Sequence, residues 1–489
     1  MIIRKYLLFL FIILQSVPLF AKDYPASMFG IKTDGIALNT KSIQFAVDYI
    51  NNNGGGRLVF SSGKYLSGTI YLKSNVTLQL DAGAVLLGSL NPFDYDRKGF
   101  TALVFAFKQN NIGITGKGTI DGQGKLLATN VIEVIEKGLI SDPSKYGRPS
   151  AENRAMLLYF RECKDVVINS TTFKNSACWT ATYDQCKNLF IDNIKVNSTN
   201  YWNEDGIDIV DCEDVQLSNS YIDAADDGIC LKSHDGSKAC KNILISNNTI
   251  RSSANGIKFG TASNGGFENV RILNNIVFNT YRSAIALEAV DGGSIENIEI
   301  DGLQSLHSGN LIFLRIGQRV TGKKSRMENI RISNVVADIP ATKPDAGYSY
   351  EGPEEDQPRN ISPAIIIVGL PGVFISNITL KNISFKHSGG GKKQYANISL
   401  DKLNTIPEIP AQYPDFSMFK ELPSWGIFAK HATGIRFENI TMLCQRKDFR
   451  IPVVLDDVKH SSFKGLQITQ DEKRQDIYQN NCTEIEVNK

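Results

Sequence analysis

The segment LFIDNIKV at residues 189–196 carries the pattern that decides the fold. Its apolar side chains alternate with polar ones, as in a β-strand with one buried face, and its Asn suits the left-handed backbone of a sharp turn. Similar segments are VQLSNSYI (215–222), ILISNNTI (243–250), VRILNNI (270–276), 330–336, 378–385 and 435–442. Successive turn residues lie 26, 28 and 27 residues apart at Asn193, Asn219, Asn247 and Asn274. This period predicts an all-β, right-handed, single-stranded parallel β-helix with one coil per repeat.

The segments around these repeats predict a cap and two long loops. Ile43, Ala46, Val47 and Ile50 form an apolar stripe that ends at glycines 54–56, which predicts an N-terminal helix covering the first coil. The repeat breaks at 341–363 and at 387–425, where we expect long loops that wall a binding site. Aromatic side chains there are candidates for stacking on a bound ligand: Tyr348, Tyr350, Tyr413, Phe416 and Trp425.

The N-terminus has the layout of a secretory signal. Arg4 and Lys5 precede an apolar run that is too short to span a bilayer, and small residues follow up to Ala21. We therefore expect a signal peptide over 1–21, a cap with the first coils over 22–74, the main β-helix domain over 75–470 and a tail over 471–489. The mature chain would then be secreted or periplasmic, with no membrane span.

Charge and cysteine usage restrict the partners. The whole chain has 53 basic and 51 acidic residues, so removal of Arg4 and Lys5 leaves a formally neutral protein. Without a basic stripe, nucleic acid is not an expected partner; we expect a monomer. Four cysteines in equivalent contexts predict a buried ladder, not a metal site, and no cofactor is expected: Cys163, Cys186, Cys212 and Cys240. Cys444 and Cys482 are candidates for a disulfide.

Two consecutive coils carry acidic turns, NEDGIDI at 203–209 and ADDGICLKS at 225–233. The spacing of 22 residues between Asp205 and Asp227 is about one coil, so these side chains should stack about 4.8 Å apart. Like charges at that distance raise at least one pKa, which is how a general acid and a general base arise from identical groups. The alternative interpretation is a set of solvated turn aspartates.

These two motifs resemble the polygalacturonase family, glycoside hydrolase family 28. Further resemblances are FGIKTDG (29–35), GGRLVFSSGKY (55–65), GTIDGQG (118–124), CWT (178–180) and YPDFSMF (413–419). The resemblance implies inverting hydrolysis of a pectic polymer or oligosaccharide, with Asp226 as the acid and with Asp205 and Asp227 activating water. It also places Asn203 and Lys232 beside them. Adjacent coils, however, give a carboxylate spacing nearer the roughly 5 Å of retaining enzymes than the ~6.5 Å or more expected for inversion.

The chain departs from this family at two motifs, which marks it as a divergent member. The family's histidine corresponds to Asn255, which cannot change charge near neutral pH. The Arg-Ile-Lys triplet that grips a uronate corresponds to residues 286–288, which end in Glu288. Strand alternation places Lys258 outward on the adjacent coil, where it restores a cation, and Arg282 is a further candidate.

Four functions therefore remain open on the sequence alone. The substrate is either a galacturonate-containing glycan held by Lys232, Lys258 and Arg282, or a neutral or differently decorated one. A calcium-dependent polysaccharide lyase would use the aspartates as metal ligands instead. A non-catalytic carbohydrate-binding β-helix would have lost its chemistry.

Overall fold

The computed structural model describes residues 22–97, 99–143, 148–342, 362–391, 400–471 and 475–488. Its two α-helices are α1 (Thr40–Asn52) and α2 (Gly124–Glu136), and short 3₁₀ turns span Ala26–Phe29, Pro92–Asp94, Ala151–Asn153 and Leu400–Thr405. The strands of the N-terminal half are β1 (Asp23–Pro25), β2 (Gly56–Phe60), β3 (Gly63–Ser67), β4 (Ile70–Tyr71), β5 (Val76–Leu80), β6 (Ala84–Gly88), β7 (Ala102–Phe107), β8 (Asn110–Thr115), β9 (Thr119–Asp121), β10 (Met156–Arg161), β11 (Lys164–Asn169), β12 (Thr172–Lys174), β13 (Ala181–Asp184), β14 (Lys187–Asp192), β15 (Lys195–Ser198), β16 (Ile207–Val210), β17 (Glu213–Ser218) and β18 (Tyr221–Ala224). Those of the C-terminal half are β19 (Ile229–Ser233), β20 (Cys240–Ser246), β21 (Thr249–Ser252), β22 (Ile257–Ser263), β23 (Gly266–Leu273), β24 (Ile276–Ala289), β25 (Ser294–Asp301), β26 (Gln304–Ile316), β27 (Arg326–Ile339), β28 (Ile365–Val368), β29 (Ile375–His387), β30 (Ser424–Cys444), β31 (Ile451–Thr469), β32 (Ile477–Asn480) and β33 (Thr483–Asn488).

These strands form a right-handed parallel β-helix, as the repeat predicts. Each strand pairs in parallel with the strand one coil further on, as β10 does with β13, β13 with β16, and β16 with β19. This series is sheet 1, which continues from β4 and β7 through β22 and parts of the later strands. Two similar series, which include β11–β14–β17 and β12–β15–β18, form the other sheets.

The outward side chains of sheet 1 form one continuous row, which we call the outer row. From the first coils to the last, the strand register aligns Phe105, Tyr159, Thr182, Asp208, Cys230, Lys258, Ala286, Phe313, Ile366 and Phe428. The neighbours of these residues in each strand point into the core, because side chains of a strand alternate between its two faces. The outer row therefore spans the face on which the acidic turns lie.

The predicted cap and turns are present. Helix α1 buries the four residues of its apolar stripe and packs against the first strands, so it closes the end of the coil stack. The turn residues Asn193, Asn219, Asn247 and Asn274 have φ between 52 and 57°, the left-handed region that Asn tolerates better than most residues.

The four ladder cysteines are buried, and their thiols lie near backbone carbonyls of neighbouring coils, as those of Cys186 and Cys212 do near Phe160 and Tyr183. The disulfide considered for Cys444 and Cys482 is not formed. Both are free thiols, and they donate to different carbonyls, those of Arg446 and Leu455.

Two features lie outside the repeat pattern. Helix α2, which the sequence analysis did not anticipate, buries Leu127, Ala128 and Val131. Strands β32 and β33 continue the parallel pairing into the tail, against β31.

The expected signal peptide over 1–21, together with Tyr348 and Tyr350, lies outside the described residues. Within the described ranges, no helix has the length and apolar character needed to cross a membrane.

Candidate active site

Three turns stack on one another just before β16, β19 and β22. Asp205, Asp227 and Asn255 occupy equivalent positions in them, since Gly206 N donates to Asp227 O at 2.9 Å and Gly228 N donates to Asn255 O at 2.8 Å. A carboxylate oxygen of Asp205 and one of Asp227 come within 4.8 Å of each other. The structure thus brings the two aspartates together on one face, one coil apart.

The glycines that follow the aspartates allow this close stacking. A Cβ atom on Gly206 would lie 2.4 Å from the carbonyl oxygen of Gly228, and one on Gly228 would lie 2.7 Å from that of Gly256. Both distances are far below van der Waals contact. Any larger residue would push successive turns apart and separate the carboxylates.

Asp226 is held beside Asp227 by a separate set of contacts. Its Oδ1 accepts a hydrogen bond from Asp227 N at 2.9 Å, and its Oδ2 accepts one from Asn203 Nδ2 at 3.3 Å. Asn203 in turn accepts from the buried guanidinium of Arg154 at 2.9 Å. Arg154 therefore positions Asn203, and no sequence signal identified it because it lies about fifty residues upstream of the acidic turns.

Lys232 contacts two aspartates of the NEDGIDI motif, Asp205 and Asp208. Its Nζ lies 2.9 Å from Asp205 Oδ2 and also contacts Asp208 Oδ1. The same ammonium lies 4.7 Å from the centre of the Trp179 ring, within the range of a cation–π contact. Asp208 is fully buried and belongs to the NEDGIDI motif, but it was not among the predicted site residues.

Lys258 lies in the outer row, as strand alternation predicts, but it is only 2% exposed. Its Nζ is 3.1 Å from Asp227 Oδ2 and 3.9 Å from Glu288 Oε2, and it donates to Tyr413 Oη at 2.8 Å. The lysine thus links the second acidic turn to Glu288, and Tyr413 covers it. Lys232 and Lys258 therefore each have a carboxylate partner within the site.

The two remaining candidates also contact their surroundings directly. Asn255 donates from Nδ2 to Asp227 Oδ1 at 2.8 Å and accepts from Ser283 N at 3.2 Å, so it fixes the orientation of the aspartate. Arg282 lies 3.2 Å from Asp415, in the YPDFSMF segment. Asp415 could not be predicted as a site residue from the sequence, because more than a hundred residues separate it from Arg282.

The neighbours of each aspartate give them different affinities for protons. Burial, and then repulsion from Asp227, raises the pKa of Asp226. Burial opposes ionisation of Asp227 as well, but the charges of Lys258 and Lys232 and the bond from Asn255 outweigh it and lower its pKa. Asp205 and Asp208 share a single lysine, and burial raises the pKa of both. The site therefore places a carboxyl with a raised pKa, that of Asp226, next to one with a lowered pKa, that of Asp227.

The same groups are a poor match for calcium. Asp205, Asp227 and the Cys230 thiol are close enough to share an ion, but Ca²⁺ takes oxygen ligands and a thiol is not one of them. The ammonium groups of Lys232 and Lys258 already contact the two carboxylates at 2.9 and 3.1 Å. A cation placed there would be repelled by both.

The sugar-stacking candidates within the described residues fall into two groups. Trp425 is completely buried in the main core and Phe416 is buried in a second apolar cluster, so the expectation that they stack on sugars is wrong for both. Tyr413 is half-exposed and contacts Lys258. Trp179, outside the late loops, lies at the site instead.

This β-helix with stacked acidic turns matches a known class of carbohydrate-active protein. The sequence profile of the glycosyl hydrolases family 28 matches residues 56–300, half of the chain. The chain belongs to that family.

Curated relatives and solved structures agree with this assignment. The chain is 26% identical to an exo-poly-alpha-D-galacturonosidase of Dickeya chrysanthemi over 51% of its own length and 49% of that protein. It is 29% identical to a probable polygalacturonase of Vitis vinifera, over 56% of this chain and 59% of that protein. It is 28% identical to an endo-polygalacturonase of Pectobacterium carotovorum subsp. carotovorum, over 49% and 62% respectively. The chain thus spans about half to three fifths of these relatives.

Among solved structures, the fold is similar to that of a family 28 exopolygalacturonase of Yersinia enterocolitica, with a TM-score of 0.65 and 18% identity over 95% of this chain and 78% of that one. It is also similar to PfbA, a surface adhesin of Streptococcus pneumoniae, with a TM-score of 0.54 and 15% identity over 95% of this chain and 93% of that one. The fold is therefore shared with a protein described as an adhesin, so the argument for function has to come from the site.

Proposed function

We propose that this protein hydrolyses glycosidic bonds in a pectic, galacturonate-containing polysaccharide or oligosaccharide, with inversion. One observation carries the proposal: Asp205 and Asp227 stack with carboxylate oxygens within 4.8 Å on adjacent coils, and Asp226 beside them is held by Asn203 while Lys258 contacts Asp227 at 3.1 Å. Family membership and the polygalacturonase relatives support the substrate class.

In the proposed reaction Asp226 donates its proton to the glycosidic oxygen as the bond from that oxygen to the anomeric carbon breaks. Asp227 removes a proton from a water molecule, whose oxygen bonds to the opposite face of the same carbon. Asp205, paired with Lys232, orients that water. One water is consumed, and Asp227 later returns its proton to the solvent while Asp226 regains one.

Substitution of the acid and the base tests this proposal. We expect Asp226→Asn and Asp227→Asn each to lower kcat on polygalacturonate by roughly a hundredfold or more, because each removes a group that transfers a proton. The assay is release of reducing ends, with binding to the same polymer measured by calorimetry. Asp214→Asn, on the exposed face of another sheet, is the matched control. Full turnover by either site variant would overturn the proposal, and a wild-type protein that binds without turnover would indicate the carbohydrate-binding alternative.

A neutral or differently decorated glycan is the second candidate, and the paired lysines favour it. Both ammonium groups already contact carboxylates, and Glu288, only 1% exposed, stands where the related motif carries a cation. A substrate carboxylate would have to compete with Asp227 for Lys258. This competition would be absent for a neutral sugar.

Lys258→Ala distinguishes the two substrates. For a galacturonate oligosaccharide we expect KM to rise on the order of tenfold, while KM for a neutral oligosaccharide of the same length changes far less, because only the former gains from the cation. Lys238→Ala, at an exposed turn, is the control. Equal effects on both substrates would reject the role of Lys258 in binding a uronate.

A further inference from the structure

We propose that the path of a glycan chain along the outer row is closed at one end, so that the enzyme acts from the end of the glycan chain and not within it. This inference rests on the proposed hydrolysis and adds the mode of attack. It follows from the segment 400–423, which we call the strap, and from the contrasting surfaces on the two sides of the acidic turns.

Charged groups anchor the strap to the outward face of sheet 1. Glu408 Oε1 lies 2.7 Å from Lys430 Nζ and 3.1 Å from His431 Nε2. The guanidinium of Arg315, which is fully buried, donates to the carbonyl oxygens of Glu408 and Ile409 at 2.5 and 3.4 Å. A buried arginine that holds backbone carbonyls keeps this part of the strap in one position.

Apolar side chains of the strap cover the outer row beyond the site. Its contributors are Leu403, Ile406, Phe416, Phe419 and Leu422, all at most 3% exposed. They form one cluster with the outer-row residues Ala286, Phe313, Ile366 and Phe428, which are 0% exposed. A sugar chain therefore cannot pass over sheet 1 on the C-terminal side of Lys258 without displacing this packing.

The closed end begins at the reacting groups themselves. Tyr413 Oη accepts from the same Lys258 ammonium that lies 3.1 Å from Asp227, and Asp415 lies 3.2 Å from Arg282. The strap thus reaches the first coil beyond the acidic turns.

The opposite side presents an aromatic surface that continues the outer row. Phe100 lies 5.3 Å from Tyr159 and 6.0 Å from Trp179 between ring centres, and Phe105 lies 5.6 Å from Tyr159. Phe100, Phe105, Phe107 and Tyr159 line a cavity of about 410 Å³ together with Glu152 and Arg161. Tyr159 is two coils from Asp208, roughly 10 Å at the usual strand spacing. Faces of aromatic rings suit the apolar faces of sugars, so the rest of the glycan chain extends over this surface.

Product analysis over time tests the inference on the intact protein. With polygalacturonate we expect one short product of a single size from the first time point, while the viscosity falls slowly relative to the release of reducing ends. Mid-sized products and an early fall in viscosity would overturn the closed end, although hydrolysis itself would stand.

A binding measurement separates this inference from the proposed catalysis. The Asp226→Asn variant is mixed with polygalacturonate fractions of different mean length. We expect the amount of protein bound per gram of polygalacturonate at saturation to be larger for shorter fractions, because a gram of shorter chains has more chain ends. The same amount of bound protein per gram at every length would contradict end binding. Absence of both binding and turnover would overturn the proposed function and this inference together.

Variants test the two sides separately. Phe105→Ala should raise KM for long oligosaccharides roughly three- to tenfold more than for a disaccharide, whereas Phe190→Ala, exposed on another sheet, should not. Equal effects on long and short substrates would reject the aromatic surface.

Replacement of both Phe416 and Phe419 by Ala should open the closed end and yield mid-sized products. If this variant keeps the wild-type circular dichroism spectrum and still releases one product of a single size, the strap is not the structure that closes the path.

Discussion

At the scale of single residues, the site obtains different chemistry from identical side chains. Asp226 and Asp227 are consecutive, yet only Asp227 lies beside Lys258 and accepts from Asn255. Its pKa is lowered, while burial raises that of Asp226. Loss of ionised Asp227 should therefore limit activity at low pH, below the usual aspartate pKa, and loss of the Asp226 proton should limit it at a higher pH than an ordinary aspartate would allow.

Glu288 adds a titration near neutral pH. Burial raises its pKa to about 7, so it is neutral below that pH and negative above it, 3.9 Å from Lys258. We expect KM for a galacturonate substrate to rise as pH passes upward through about 7, and Glu288→Gln to remove this dependence. The measurement is KM against pH, with Glu296→Gln on another sheet as the control. An unchanged pH dependence in the Gln variant would show that Glu288 does not control binding.

The acidic residues were visible in the sequence because they lie in short motifs one coil apart. Their nearest partners in the same coils were also visible: Asn203, Lys232, Asn255 and Lys258. Two more distant contributors were not. Asp415 comes from the strap, and Arg154 comes from a coil well before the acidic turns, so only the folded chain brings them to the site. Trp425 and Phe416 were only candidates for sugar stacking from their loop positions, and an aromatic residue in a loop next to a sheet also serves to bury that sheet's apolar face, as both do.

At the scale of elements, turns and glycines set the spacing of the coils. Strand alternation and turn asparagines were sufficient to locate the coils and the cap. Helix α2 was not located, because its run Val131, Ile132, Val134 and Ile135 is rich in β-branched residues that also favour strands. Late strands such as β30, which is 21 residues long, run through bends that separate strands in earlier coils.

Gly228→Ala tests the role of turn spacing. The added Cβ would lie 2.5 Å from Ile250 Cγ2 and 2.7 Å from the carbonyl oxygen of Gly256, so we expect a loss of about 1–3 kcal/mol in the free energy of unfolding, together with lower activity. Gly236→Ala is the matched control, since its nearest neighbour would be 3.8 Å away. Denaturant unfolding of both variants gives the comparison, and equal stability would mean that the turns tolerate wider spacing.

At the scale of the whole molecule, a chain with a formal net charge of only +2 places acidic and basic groups together on one face of the coil stack. The pairing of Lys232 with Asp205 and of Lys258 with Asp227 opposes a metal ion at this face. The lyase alternative requires such an ion, whereas hydrolysis by acid and base does not.

We therefore expect wild-type turnover on polygalacturonate to be unchanged by a chelator and its products to lack the ultraviolet absorbance of an unsaturated sugar. Reducing-end release and absorbance recorded in the same reaction check this. Activity that disappears with chelator and returns with calcium would indicate the lyase instead.

The stereochemistry of the product tests the central claim most directly, because separate acid and base roles for adjacent aspartates require water to attack the anomeric carbon. Proton NMR during the first turnovers of a galacturonate oligosaccharide should show the anomer opposite to the linkage cleaved, with the other anomer appearing only as it equilibrates. An initial product that retains the configuration of the linkage would contradict this account and assign one of the aspartates a nucleophilic role.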